Sequence, residues 1–120
     1  MTPEDVLKNS IMLEAGKRGF ICLRLNSGKA WNGKMVRIVF GEWKGHTAII
    51  DPRPIQLCPE GTSDMLFVMP DGRYCFVESK VHPRKATSQQ INFINIVRSL
   101  GGIAGVCYSV QEFIDLISSS

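Results

Sequence analysis

Asp64 and the triplet Glu78-Ser79-Lys80, with thirteen residues between, are the groups of this chain whose types and spacing could do hydrolytic chemistry. Two carboxylates can hold a magnesium ion, which lowers the pKa of a bound water and neutralises charge on phosphoryl oxygens, as phosphodiester hydrolysis requires. Asp64 and Glu78 are the expected ligands. The carbonyl of Ser79 is a further one, because hard cations accept backbone oxygen. Lys80 cannot ligate while protonated, and is suited to orienting the nucleophilic water or stabilising charge on phosphorus. On a strand, the period of two puts Glu78 and Lys80 on one face.

The elements that must position these groups are two apolar, β-prone runs, 65–69 and 74–77, separated by Pro70-Asp71-Gly72-Arg73, a turn signal with glycine where positive φ is tolerated. A three-residue loop, with Gly72 as the left-handed bulge residue, pairs Met69 with Arg73 and sets Asp64 opposite Glu78. A two-residue loop would instead pair Asp64 with Ser79 and turn the carboxylate away. Opposed like charges are unfavourable without a counter-ion, which a divalent cation supplies.

Around this hairpin the pattern predicts helix, several strands, helix, strand, helix: an α/β sandwich with a mixed sheet carrying helices on its faces. Thr2, Pro3 and Asp5 signal the start of the first helix, which should end between Gly16 and Gly19. Its inner stripe is expected to run Leu7, Ile11, Glu14, which puts an acid in line with apolar residues. Residues 20–25 read as a strand and 26–29 as a loop. Residues 35–40 and 47–50 read as a hairpin around Gly41 to Gly45, and Asp51-Pro52-Arg53-Pro54 as an irregular connector. Thr87 and Gln90 form a capping box opening a helix whose inner face is Phe93, Val97 and Leu100, stopped by Gly101-Gly102. Residues 103–108 read as a strand, and Ser109 with Glu112 opens a last helix to about Ile117, with a fraying serine tail. Gln90, in line with Phe93 and Val97, either serves its cap or positions water or phosphate.

A chain of 120 residues with 44% hydrophobic content suits one domain over 1–120 with one core. No apolar run approaches a membrane span, and the N-terminus lacks the pattern of an export signal, so a cytoplasmic protein is expected. Cys22, Cys58, Cys75 and Cys107 lack paired metal or redox spacing and read as reduced core thiols. The net charge of +3 permits nucleic-acid binding, for which Lys17, Arg18, Lys34, Arg84 and Lys85 are the candidate contacts. Trp31 and Trp43 read as packing residues with stacking on unpaired bases as the alternative, and His46 and His82 as bystanders.

Taken in order, Gly61-Thr62-Ser63-Asp64, Pro70-Asp71-Gly72-Arg73, Glu78-Ser79-Lys80, Thr87-Ser88-Gln89-Gln90 and 101–106 (GGIAGV) resemble successive blocks of the virus-type replication-repair nuclease (VRR-NUC) domain of the PD-(D/E)xK superfamily. Gly33-Lys34 is a weaker upstream block, and the resemblance covers nearly the whole chain. It implies a restriction-endonuclease-like αβββαβ core, magnesium dependence with manganese able to substitute, and endonuclease activity on DNA. It is similar to the stand-alone members, often of phages or prophages, which act on branched DNA such as four-way (Holliday) junctions, usually as homodimers; the expected location is then a bacterial or phage-infected cell. By motif match Asp64, Glu78 and Lys80 are catalytic, with Gln90 and Glu14 accessory, Glu14 as the family's helical acid and a further metal ligand. Ser79 stands where an apolar residue is more usual, and Val81-His82-Pro83-Arg84 departs from the common run after the lysine.

Two other readings share these residues. A non-catalytic nucleic-acid-binding module would keep the fold without needing the intact acid, acid and lysine set. A sequence-specific restriction-type endonuclease would share the chemistry, but so short a chain leaves little room for a base-reading element.

Overall fold

A computed structural model describes residues 1–25, 29–56 and 58–119, and the side chains among them except those of Lys29 and Gln56. The elements are α1 (Pro3–Lys17), β1 (Ile21–Arg24), β2 (Lys29–Arg37), β3 (Thr47–Gln56), β4 (Met65–Val68), β5 (Tyr74–Ser79), α2 (Ser88–Ser99), β6 (Ile103–Cys107) and α3 (Val110–Ser118). A four-stranded sheet has the order β1-β4-β5-β6, antiparallel except for the parallel β5–β6 pair, and β2 and β3 form a separate two-stranded sheet. With β2–β3 set aside as an insertion and α3 as an appendage, the remainder is the expected αβββαβ core with a mixed sheet. Of the predicted loop at 26–29, residues 26–28 lie outside the described residues, as does Ser120 at the end of the serine tail, whereas Lys29 already opens β2 and is not loop.

The strands alternate as a sheet with both faces covered must. Met65, Phe67, Cys75, Val77, Ile103 and Cys107 are buried on one face against α1 and α3, through Ile11, Ala15, Phe113 and Ile117. Residues of the other parity face α2, where Phe76 and Phe93 meet edge to face at 5.1 Å. Burying these aromatic and aliphatic groups is the main stabilising term, at roughly 1.5–3 kcal/mol for each large side chain. The deepest thiols, Cys75 and Cys107, are free, and burial pushes each up to about 12, so they remain protonated packing groups.

Local signals hold at the helix starts. Thr2 and Asp5 exchange hydrogen bonds at the head of α1, and Thr87 and Gln90 do so at the head of α2. At α3 the reciprocal bond shifts by one residue: Ser109 accepts from Glu112 N–H, but Glu112 Oε1 accepts from Tyr108 N–H.

Three expectations are corrected. Residues 51–54 are not a connector but part of β3, which pairs with β2 from Thr47 to Gln56. Each strand of a two-stranded ribbon has one free edge, where proline's missing N–H costs nothing. The irregularity is real but local: the register shifts between Asn32 and Lys34, opposite Asp51 at φ 50°. Gly33 fits there because any Cβ would lie 2.7 Å from the carbonyl oxygen of Ile50. On α2, Leu100 is 82% exposed and Ile94 is the buried residue, because the helix ends at Ser99 and Leu100 is already its cap. On α1 the stripe passes through Leu7, Ile11 and Ala15 rather than Glu14.

Candidate active site

The site is built by the β4–β5 hairpin, and its register is decided at the turn. Met69 N–H donates to Arg73 O at 2.9 Å, Gly72 N–H donates to Met69 O at 2.8 Å, and Gly72 has φ 88°, so the loop is the three-residue kind. Met65 therefore pairs with Val77, and one step further Asp64 lies across from Glu78. Asp64 stands just before β4, at the end of the sheet, and its carboxylate is held by the next strand. Its Oδ2 accepts from Ser79 N–H at 3.2 Å and from Ser79 Oγ–H at 3.0 Å.

Glu78 is 2% exposed, an unusual position for a carboxylate. Its Oε2 accepts from the backbone N–H of Asp64 at 3.0 Å, and its Oε1 accepts from the side-chain amide of Gln90 on α2. Gln90 keeps its expected capping role, its Oε1 accepting from Thr87 N–H, while its amide donates to Glu78, a partner its capping spacing did not indicate. Lys80 Nζ lies 3.7 Å from Glu78 Oε1. Burial, and next the charge of Asp64, push the Glu78 carboxyl up from 4.5 to about 7, against the lowering influence of the Asp64 N–H and Lys80.

Asp64, Glu78, Ser79, Lys80 and Gln90 are therefore brought together, from three elements. Glu14 is not. It pairs with Arg18, 3.2 Å away at the C-terminal end of α1, where Gly19 abuts Pro70 in the β4–β5 turn. That is the end of the hairpin opposite to Asp64 and Glu78. The reason is helical phase: with Ile11 and Ala15 fully buried, residue 14 is turned about 100° off the buried line. Lys17 and Arg18 belong to the same distant end and are likewise not at the site. Lys34 lies on β2 and is exposed, as are Arg84 and Lys85, which follow β5.

α1 instead reaches the site near its N-terminus, through residues the sequence reading missed. Lys8 Nζ is 3.7 Å from Asp64 Oδ2 and 3.9 Å from Glu4, and Glu4 is 4.0 Å from Arg84. A signal was present: Glu4, Lys8, Ile11 and Ala15 follow spacings of four, three and four, a stripe as regular as Leu7, Ile11, Glu14. Ser63, beside Asp64, is also buried, and among the described residues its hydroxyl has no hydrogen-bond partner. His82 stacks on Tyr108 with centroids 4.3 Å apart, and His46 meets Trp43 edge to face, so each histidine has a packing role.

The donor set fits a hard divalent cation. Among the described residues no cluster of three or more histidine, cysteine or acidic side chains forms, which leaves two carboxylates and backbone oxygen. Magnesium is commonly held by one or two carboxylates plus waters and substrate phosphates. Among the described residues Asp64 Oδ1 accepts no hydrogen bond, and burial raises the Glu78 carboxyl to about 7, a shift that a cation placed beside it would oppose.

Comparison with known proteins agrees with this architecture. The VRR-NUC domain profile matches residues 2–111. A solved structure described as a VRR_NUC domain superposes with a TM-score of 0.64, covering 98% of this chain and 97% of that one at 19% identity. No curated protein matches. Among the described residues no helix is long and apolar enough to cross a membrane.

Proposed function

This chain belongs to the VRR-NUC domain family, a nuclease-type domain, and on that premise we propose that it is a metal-dependent DNA endonuclease selective for branched DNA, including four-way junctions. The observation that carries the reading is the convergence of Asp64, Glu78 and Lys80 with one acid buried and the other held at its backbone. Asp64 and Glu78, with the Ser79 carbonyl, would hold magnesium, or manganese in its place. When bound, that ion supplies Lewis-acid stabilisation of phosphoryl charge and a water of lowered pKa.

The protein's own groups prepare the rest. Ser79 fixes Asp64 with two hydrogen bonds, and Gln90 with the Asp64 N–H fixes Glu78, so neither carboxylate reorganises when substrate arrives. The Lys80 ammonium, 3.7 Å from Glu78, has the reach to orient an attacking water or to face the negative charge on phosphorus. Arg84 and Lys85, exposed just after β5, are suited to flanking phosphates, which makes recognition a matter of shape and backbone rather than base sequence.

A homodimer suits a symmetric junction, because two copies present two sites related by a two-fold axis. One surface supports it: β1 is an edge strand whose Ile21 and Leu23, with Tyr74 on β5, are exposed at 62%, 49% and 59% on the sheet face that, among the described residues, α2 covers mainly over β5 and β6.

The deciding experiment incubates end-labelled four-way junction, flap, splayed-arm and linear duplex with the protein in magnesium, manganese or EDTA. Metal-dependent cleavage of the branched substrates is expected. Binding without cleavage in every metal would favour a non-catalytic module, and cutting of linear duplex at one fixed sequence a restriction-type enzyme.

A further inference from the structure

The β2–β3 ribbon is unaccounted for by the catalytic core. Among the described residues its strands, of nine and ten residues, make their extensive contacts with each other and not with the other elements. At about 3.3 Å per residue they form an arm roughly 30 Å long. The molecule measures 58 × 30 × 28 Å with a radius of gyration of 18.0 Å, against about 13.5 Å for a compact chain of this length. Such a ribbon is marginal alone in water, so it awaits a partner.

Charge identifies the partner's chemistry. Between residues 29 and 56 stand Lys29, Lys34, Arg37, Lys44 and Arg53 against Glu42 and Asp51, an excess of three positive charges. The other residues carry nine basic and nine acidic groups, so the whole net charge of +3 resides on the arm and the body is neutral. The arm also holds the protein's two tryptophans, both 61% exposed: Trp31 near the root and Trp43 in the tip, with Phe40 at 81% beside it. Basic groups interleaved with exposed aromatic faces suit a nucleic-acid strand with unstacked bases. A second copy, by contrast, offers the arm a neutral body without charge complementarity.

The arm is rooted at the active-site end of the sheet. β1 runs into it and the segment before β4 returns from it, and Leu25 N–H donates to Asp64 O at 2.7 Å at that junction. By register Lys34 shares a face with Arg53, while Trp31 and Arg37 share the other, so both faces carry positive charge.

We propose that the β2–β3 arm is a second DNA-contact element, distinct from the catalytic hairpin, in which Lys34, Arg37 and Arg53 engage phosphates and Trp31 and Trp43 stack on bases left unpaired at a branch. The arm is then the source of preference for branched over linear DNA. This inference rests on the nuclease reading, and it is testable separately from it.

Two variants test it, Lys34→Ala/Arg37→Ala/Arg53→Ala and Trp31→Ala/Trp43→Ala, neither touching the site or the core. Binding of a four-way junction and of a linear duplex is measured by anisotropy in EDTA across a salt series, with cleavage in magnesium and solution mass alongside. The charge variant should lower the slope of log affinity on log salt by about 2 to 3, at roughly 0.9 per phosphate contact. The tryptophan variant should lose roughly tenfold or more in junction affinity with duplex affinity nearly unchanged. If wild type cleaves junctions and both variants bind as it does, the arm assignment falls and the nuclease reading stands. If the variants lose binding while wild type cleaves nothing in any metal, the nuclease reading falls and the arm assignment stands. A wild type that binds no DNA overturns both, and a halved mass in either variant shows that the arm pairs copies and overturns the arm assignment.

Discussion

Glu78 is where the site's chemistry and its cost meet. A carboxylate 2% exposed, beside Asp64 and held near 7, is protonated in the metal-free native state at a pH where the unfolded chain has already ionised. Because its folded pKa is raised above 4.5, its contribution to stability is fully present below that value and is lost as pH rises to about 7. Asp5 and Asp71, whose carboxyls are lowered from 3.8 by hydrogen bonds from Thr2 and Arg73, work with the opposite sign: their contribution is present above 3.8 and is lost as pH falls below it. Thermal melts in EDTA should therefore show wild type losing stability from pH 4.5 to 7 relative to Glu78→Gln, and magnesium should raise the wild-type midpoint more at pH 8 than at pH 5. Parallel pH profiles for the two proteins would refute the account. For activity, Asp64→Ala, Glu78→Ala and Lys80→Ala should each lower junction cleavage by at least roughly two to three orders of magnitude while the chain stays folded. Near wild-type rates in any of the three would remove that residue from the catalytic set.

Among elements, the docking of α2 decides whether Gln90 reaches Glu78. Gly61, at φ +91°, packs so closely on the start of α2 that a Cβ would lie 2.6 Å from the carbonyl oxygen of Gln89. Gly61→Ala combines a disfavoured backbone conformation with a clash against backbone, so a destabilisation of about 2–4 kcal/mol is expected, together with displacement of Gln90. Denaturant unfolding measures the first and the loss of cleavage at permissive temperature the second. A variant as stable and active as wild type would show that this contact does not set the helix position. The hairpin was legible down to its turn, but Pro70-Asp71-Gly72-Arg73 admits a two- or a three-residue loop, and it is the Met69–Arg73 pairing with Gly72 at φ 88° that chooses the register. The β2–β3 arm was only half legible: its turn glycines were evident, but two prolines hid β3 beyond Ile50, more than half of its ten residues, since proline argues against strand unless an edge is free to receive it.

Across the whole molecule, the neutral body has a half-covered sheet face and the arm is basic, so the two surfaces would suit different kinds of partner. If Ile21, Leu23 and Tyr74 meet a second copy, Leu23→Asp should convert a dimer to a monomer in light scattering while each site remains intact. Cleavage of a junction would then become single, uncoupled nicks. A wild-type protein already monomeric at working concentration would dismiss the surface as an interface.

From sequence alone came constraints set by near neighbours along the chain: the caps at Thr2, Thr87 and Ser109 and the turn at Gly72, while the loop length that pairs Asp64 with Glu78 was settled by the structure. The caps and the turn are local, readable from spacing. Which end of α1 meets the active site was open, because Leu7, Ile11, Glu14 and Glu4, Lys8, Ile11, Ala15 are equally good helical stripes. Only the packing of Ile11 and Ala15 against β4, β5 and α3 chose between them, placing Lys8 on Asp64 and leaving Glu14 with Arg18 at the far end. Periodicity defines a line along a helix, and burial against a distant strand determines which line turns inward.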